Sequence, residues 1–143
     1  MFKKYRTIDE VMDSEGRNLV KQALNSTDLY VQTVRRLRYS LIEIAVLDPK
    51  KRRIGSYTSF NNVNGEIDRI VVSPENSIPD IAVKVEERYL MEILQNIETV
   101  KTHPFRSFLK YARKFKPRRR QDSQRLLCDL PELVTSLYLN MKF

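Results

Sequence analysis

The apolar positions of the first third of the chain recur at helical spacing. Thr7-Ile8-Asp9-Glu10 has the form of a capping box, in which the Thr hydroxyl takes a backbone N–H and the Glu reaches back. A helix is therefore expected from Ile8, carrying Ile8, Val11, Met12, Leu19, Ala23 and Leu24 on one side, with Gly16 as its weak point. Asn25-Ser26-Thr27-Asp28 reads as a stop or a new cap. Between Leu29 and Leu47 the pattern changes character. Tyr30, Val34, Leu37, Leu41 and Ile44 keep a 3–4 spacing, whereas the β-branched run from Leu41 suits a strand, so a helix to about Arg38 followed by a strand to Leu47 accounts for both.

The next segment reads as β structure. Asp48-Pro49-Lys50-Lys51 is a turn and Ile54 to Phe60 is a strand. Asn64-Gly65 is the pair preferred in a type I′ hairpin, and Glu66 to Val72 is the returning strand. Beyond it, Ser77 with Asp80 and Pro79 predicts a helix whose face is Ile81, Val85, Tyr89, Ile93, Ile97 and Val100, with the alternation Ile81/Val83/Val85 as the alternative of a short fourth strand. Pro104 opens another helix. Asp129 with Glu132 caps a last one with Leu133, Val134, Leu137 and Met141 as its buried stripe, and Lys116–Asp122 between them reads as an exposed loop. The expected fold is α+β: a three-stranded antiparallel meander packed by N-terminal and C-terminal helices, in a single domain over residues 1–143.

Composition narrows the class. At 143 residues, 41% hydrophobic and 31% charged, the chain has room for one core. No apolar run approaches the ~20 residues of a membrane span, and the N-terminus lacks a signal-peptide pattern, which leads to an intracellular location, cytoplasmic or, in a eukaryotic cell, nuclear. Cys128 alone forms no internal disulfide, and with a single His103 no thiolate–imidazole zinc set exists. His103 reads as a helix-entry residue before Pro104 and Cys128 as a small hydrophobe. Glu66 and Asp68 share a strand face, but no lysine joins them or Asp80 in a nuclease motif, and the three glycines are isolated. Neither a cofactor nor a metal is expected, and the reading is non-enzymatic, with a metal-dependent nuclease as the alternative.

Charge supplies the main functional signal. Between Lys101 and Arg125 ten basic residues stand against Asp122 alone, a net +9 within a total of +8, so the remainder carries −1. Three groups make up the basic set: Arg35, Arg36 and Arg38; Lys50, Lys51, Arg52 and Arg53; and Arg106, Lys110, Arg113, Lys114, Lys116, Arg118, Arg119 and Arg120. On the Pro104 helix the cations share a face opposite Phe105, Phe108, Leu109, Ala112 and Phe115. A strip of this kind neutralises backbone phosphates, and Tyr39, Tyr57 and Phe60 could stack on bases. The expected function is non-catalytic binding of RNA or DNA in a regulatory, replication-associated or nucleoprotein role. The alternative is an assembly or matrix-type protein whose basic surface docks it on a partner or on a membrane.

The order helix, turn, helix, basic hairpin resembles a winged helix-turn-helix, with Gln32, Thr33, Arg35 and Arg36 on the recognition helix. The turn departs from that pattern in lacking glycine, and Thr27 stands where an apolar residue is usual. Both Pro49–Arg53 and Lys116–Arg120 also have the form of nuclear-import signals. The apolar surplus of Tyr138-Leu139-Asn140-Met141-Lys142-Phe143 suggests a homodimer through the C-terminal helix.

Overall fold

A computed structural model describes residues 2–76 and 78–139. The predicted cap at Ser77, the stripe residue Met141 and the end of the proposed dimer segment lie outside the described residues. The first helix is two. α1 (Ile8–Val11) is capped by Thr7, whose hydroxyl accepts from Glu10 N, and the Glu10 carboxylate accepts from Arg6 N instead of the capping Thr. α2 (Ser14–Asn25) restarts on the Asp13 side chain, which accepts from Gly16 N at 2.8 Å. Gly16 is required where α2 meets the end of α1, since a Cβ there would lie 1.5 Å from the Val11 carbonyl oxygen. α3 (Asp28–Leu37) ends on Arg38 in the left-handed conformation, φ 59°, and the chain then extends into strand β1 (Leu41–Leu47).

β2 (Arg53–Asn61) and β3 (Ile67–Val72) follow as antiparallel neighbours. Their connection differs from the expected type I′ turn. The left-handed residue is Gly65 alone, at φ 84°, and the Asn62 side chain organises the loop by accepting from Asn64 N and Glu66 N. A type I′ turn needs positive φ at both central residues, and the Asn62 bonds hold a wider loop instead.

The meander is a subset of a larger sheet. β4 (Ile81–Glu86) lies parallel to β1, and β5 (Lys116–Pro117) pairs antiparallel with β4, for an order β3-β2-β1-β4-β5. Residues 81–86 were expected to be helical. They form a strand because β1 offers a second hydrogen-bonding edge, and because the alternation Ile81/Val83/Val85 places all three with Ile42, Ile44 and Val46 on one face. Asp80 caps no helix; its carboxylate accepts from Ser40 N and Leu41 N, at 2.7 and 3.0 Å, and so ties the start of β4 to that of β1.

Helix resumes at α4 (Glu87–Gln95), α5 (Ile97–Thr102) and α6 (Pro104–Tyr111), the last running into a 3₁₀ turn at Ala112–Lys114. The segment 116–122 is not a free loop. It holds β5, donates Arg118 N to Ala82 O, and starts α7 (Arg120–Leu139). α7 is continuous through Pro131, so Asp129 serves no cap. Its carboxylate accepts from the Tyr39 hydroxyl at 2.7 Å and from Arg125 at 3.0 Å.

Two apolar clusters occupy the face of the sheet that carries Ile42 and Val46. One gathers Phe2, Tyr5, Ile8, Val11, Val20, Val46, Tyr57, Met91 and Leu94, closing α1, α2 and α4 over the sheet. The other joins Val34, Leu37, Tyr39 and Ile81, with Tyr30, Ile42, Val83 and Leu126 packed against it. The fold is thus mixed α+β with a five-stranded sheet, where three antiparallel strands were expected.

Candidate apolar binding chamber

The second cluster does not close. Beside it lies a chamber of about 800 Å³. Ile42, Ile81 and Val83 form its floor on the sheet. Tyr30, Val34 and Leu37 of α3 form one wall, and Phe108, Tyr111 and Ala112 of α6 with its following turn form another. Leu126, Leu130, Leu133 and Leu137 of α7 line a third side. α7 packs on α3 while α6 packs on α5, so the two long amphipathic elements flank the space without filling it.

The polar atoms of the lining residues are mostly engaged. The Tyr39 hydroxyl is held by Asp129, and burial followed by that bond pushes its phenol well above the ordinary range. Tyr30 is pushed up to about 12 by burial, with a hydrogen bond to Ser59 working the other way. Tyr111 donates to Glu92 at 3.0 Å; burial and then that bond raise its phenol, while the bonds from Tyr111 and then Lys110 hold the Glu92 carboxyl below its usual value. Thr27 donates to Ala23 O. The rings and aliphatic chains are left to line the space, and Thr33 Oγ1 is a buried lining oxygen without a hydrogen-bond partner among the described residues. Such a wall attracts apolar matter by the hydrophobic effect and orients it little.

A second, polar cleft of about 470 Å³ opens beside the segment that follows β3, among Glu43, Arg53, Ser56, Ser73, Arg118 and Arg119. Glu43 is buried on the central strand and paired with Arg118. Among the described residues, no group of three His, Cys, Asp or Glu side chains could hold a metal ion.

The fifteen predicted basic residues do not assemble into one surface. Six are engaged by carboxylates: Arg36 by Glu132, Lys51 by Glu86, Arg52 by Asp48, Lys110 by Glu92, Arg118 by Glu43 and Arg119 by Asp122. Lys114 lies over the Tyr89 ring, 4.4 Å from its centroid. Arg35, Arg38, Lys50, Arg53, Arg106, Arg113, Lys116 and Arg120 are exposed. The cations at the end of α3 and those of the β1–β2 turn sit at opposite ends of β1, roughly 20 Å apart for seven residues of strand.

The winged-helix expectation is corrected on the same grounds. α3 packs against α2 and α7, Thr33 lines the chamber and Arg36 is held by Glu132. No groove can receive a helix so covered. The supposed wing is the centre of the sheet, since β1 is flanked by β2 and β4. What the reading of the sequence missed was the chamber. Its α7 lining, Leu126, Leu127, Leu130, Leu133 and Leu137, precedes the apolar surplus at Tyr138–Phe143 on which the dimer expectation rests, and no described residue of that surplus lines the chamber.

No protein-family model matches the chain, and no curated protein matches it. Among solved structures it is similar to the sterol carrier protein 2 of Yarrowia lipolytica in its apo form, with 14% identity over 76% of this chain and 87% of that one, at a TM-score of 0.37. It is also similar to the sterol carrier protein domain 2 of Helicoverpa armigera, with 12% identity over 86% and 93% of the two chains and a TM-score of 0.38. The expectation of a nucleic-acid binder, with nucleic acid as partner, is corrected. The larger of the two concavities is apolar, and six of the fifteen cations are spent on internal pairs instead of facing a polyanion.

Proposed function

We propose that this chain is a non-enzymatic, single-domain binder of a small apolar or amphipathic molecule of the lipid class, held in the chamber between the sheet, α3, α6 and α7. The observation that carries the reading is the chamber itself: about 800 Å³ lined by aliphatic and aromatic side chains, within the size range of small-molecule sites. A ligand chain of about twelve methylenes buried there gains roughly 10 kcal/mol. Subtracting about 4 kcal/mol for association leaves a Kd on the order of tens of micromolar.

Titration with a fluorescent fatty acid in vesicle-free buffer tests this, with a fluorescent sterol as a second arm to separate chain from ring ligands. Saturable one-site binding is expected for the parent. Ala112→Trp, which places an indole at a small lining residue, should weaken it at least tenfold while far-UV circular dichroism stays unchanged. Absence of saturable binding of either probe by the folded parent refutes the reading.

A further inference from the structure

The chamber is bordered by a surface of unusual composition. Along α7, Leu127, Leu130, Val134 and Tyr138 follow a 3-4-4 spacing and therefore share a stripe. All four face solvent, at 72, 48, 55 and 75% exposure, and Leu127 and Leu130 also line the chamber, so the stripe borders its mouth. On α6, which forms another wall of the chamber, Leu109 is 63% exposed between Arg106 and Lys110, with Arg113 following in the 3₁₀ turn.

Among the described residues from Pro104 to Leu139, the unpaired charge has one sign. Arg106, Arg113, Lys116 and Arg120 are exposed and pair with no carboxylate among the described residues. The acids of the same stretch are spoken for: Asp122 is held by Arg119, Asp129 by Arg125 and Glu132 by Arg36. Exposed aliphatic groups set among unpaired cations match a bilayer boundary, where the former enter the acyl region and the latter meet anionic headgroups. A second copy of the chain would instead oppose like charges.

We propose that the chain docks on an anionic lipid surface through α6 and the outer stripe of α7, so that the mouth of the chamber faces the bilayer. The docking rests on the apolar-ligand reading only for what the docked protein takes up: a molecule leaving the acyl region would enter the chamber without crossing water.

Flotation with vesicles of phosphatidylcholine alone, and of phosphatidylcholine with about one third phosphatidylserine, tests the surface. Binding to the anionic vesicles, weakened by salt, is expected. At roughly fivefold per cation, the quadruple change Arg106→Gln, Arg113→Gln, Lys116→Gln and Arg120→Gln should weaken it a hundredfold or more. Leu109→Ser with Val134→Ser should weaken it about tenfold. None of these six residues lines the chamber, so fluorescent fatty-acid binding in vesicle-free buffer should stay unchanged in both variants. The proposal is overturned if the parent fails to float with anionic vesicles, if the quadruple variant floats as the parent does, or if sedimentation shows a dimer that the Leu109 and Val134 changes dissociate. Vesicle binding without any fatty-acid binding would refute the chamber reading and leave the docking surface standing.

Discussion

Asp122 is the group through which α7 is fastened to the sheet, and its removal has a cost that can be worked from the structure. The carboxylate is 1% exposed. It accepts from Ala82 N at 3.0 Å, Arg119 N at 2.9 Å, Arg119 Nε at 2.8 Å and Arg119 Nη2 at 2.7 Å. In Asp122→Ala the amide of Ala82, a fully buried residue, loses its partner, which costs about 1–3 kcal/mol. Arg119 loses a charged partner but keeps the Pro79 carbonyl and a side chain 29% exposed to water, so its share is discounted. The total falls near 3–4 kcal/mol, at the lower end of what breaking a buried pair costs. For a domain of this length that is a fall in Tm of roughly 10 °C. Asp122→Asn retains an acceptor for Ala82 N and should lose about half as much.

The pH dependence follows from the same bonds. Burial pushes the Asp122 carboxyl up, but Arg119 and the amides of Ala82 and Arg119 together hold it below its ordinary 3.8. A carboxyl depressed in the folded state contributes stability above its unfolded pKa and loses it as pH falls through the folded value. Urea unfolding between pH 7 and pH 2 should therefore show an acid-labile increment in the parent that is absent from Asp122→Asn. The reasoning fails if Asp122→Ala lies within 1 kcal/mol of the parent at pH 7, or if the two variants are equally stable.

Two further changes probe the walls. Gly65→Ala puts a Cβ at a residue with φ 84° and 2.1 Å from the Val31 carbonyl oxygen, so the β2–β3 loop must leave α3, at a cost above about 1 kcal/mol by denaturant unfolding. Tyr39→Phe removes the donor to Asp129 and should cost about 1 kcal/mol. Because the Tyr39 phenol is raised above its ordinary 10.0, its contribution is complete below pH 10 and lost as pH rises through the folded value, so the variant should show a shallower alkaline decline; an unchanged slope counts against the Asp129 contact.

The helical and strand segments with strong local signals formed where their residues predict: the cap at Thr7, α3 giving way to β1, the β2 and β3 strands, and Pro104 at the head of α6. The errors have one physical origin. Ile81-Ala82-Val83-Lys84-Val85 satisfies both a helical and an alternating pattern, and only an edge of β1, distant in sequence, decides between them. Asp80 and Asp129 carry the side chain of a helix cap, yet each is claimed by a partner forty residues or more away, Ser40 N or the Tyr39 hydroxyl. The cations of 116–120 look like an exposed loop because basic residues usually are. Here Arg118 and Arg119 are drawn onto Glu43 and Asp122 once β5 pairs with β4.

The sequence by itself determined the α+β composition, most of the element boundaries before residue 73, and the concentration of positive charge between Lys101 and Arg125. Those features depend on neighbours within a few residues, where spacing and capping act. Only the tertiary structure decided that the apolar faces of α6 and α7 line a chamber. An unfilled volume is a property of how far apart α3, α6 and α7 are held on the sheet, and that separation is set by contacts such as Asp122 with Ala82 and Tyr39 with Asp129. Each of these joins residues at least forty positions apart, a distance over which local sequence pattern carries no signal.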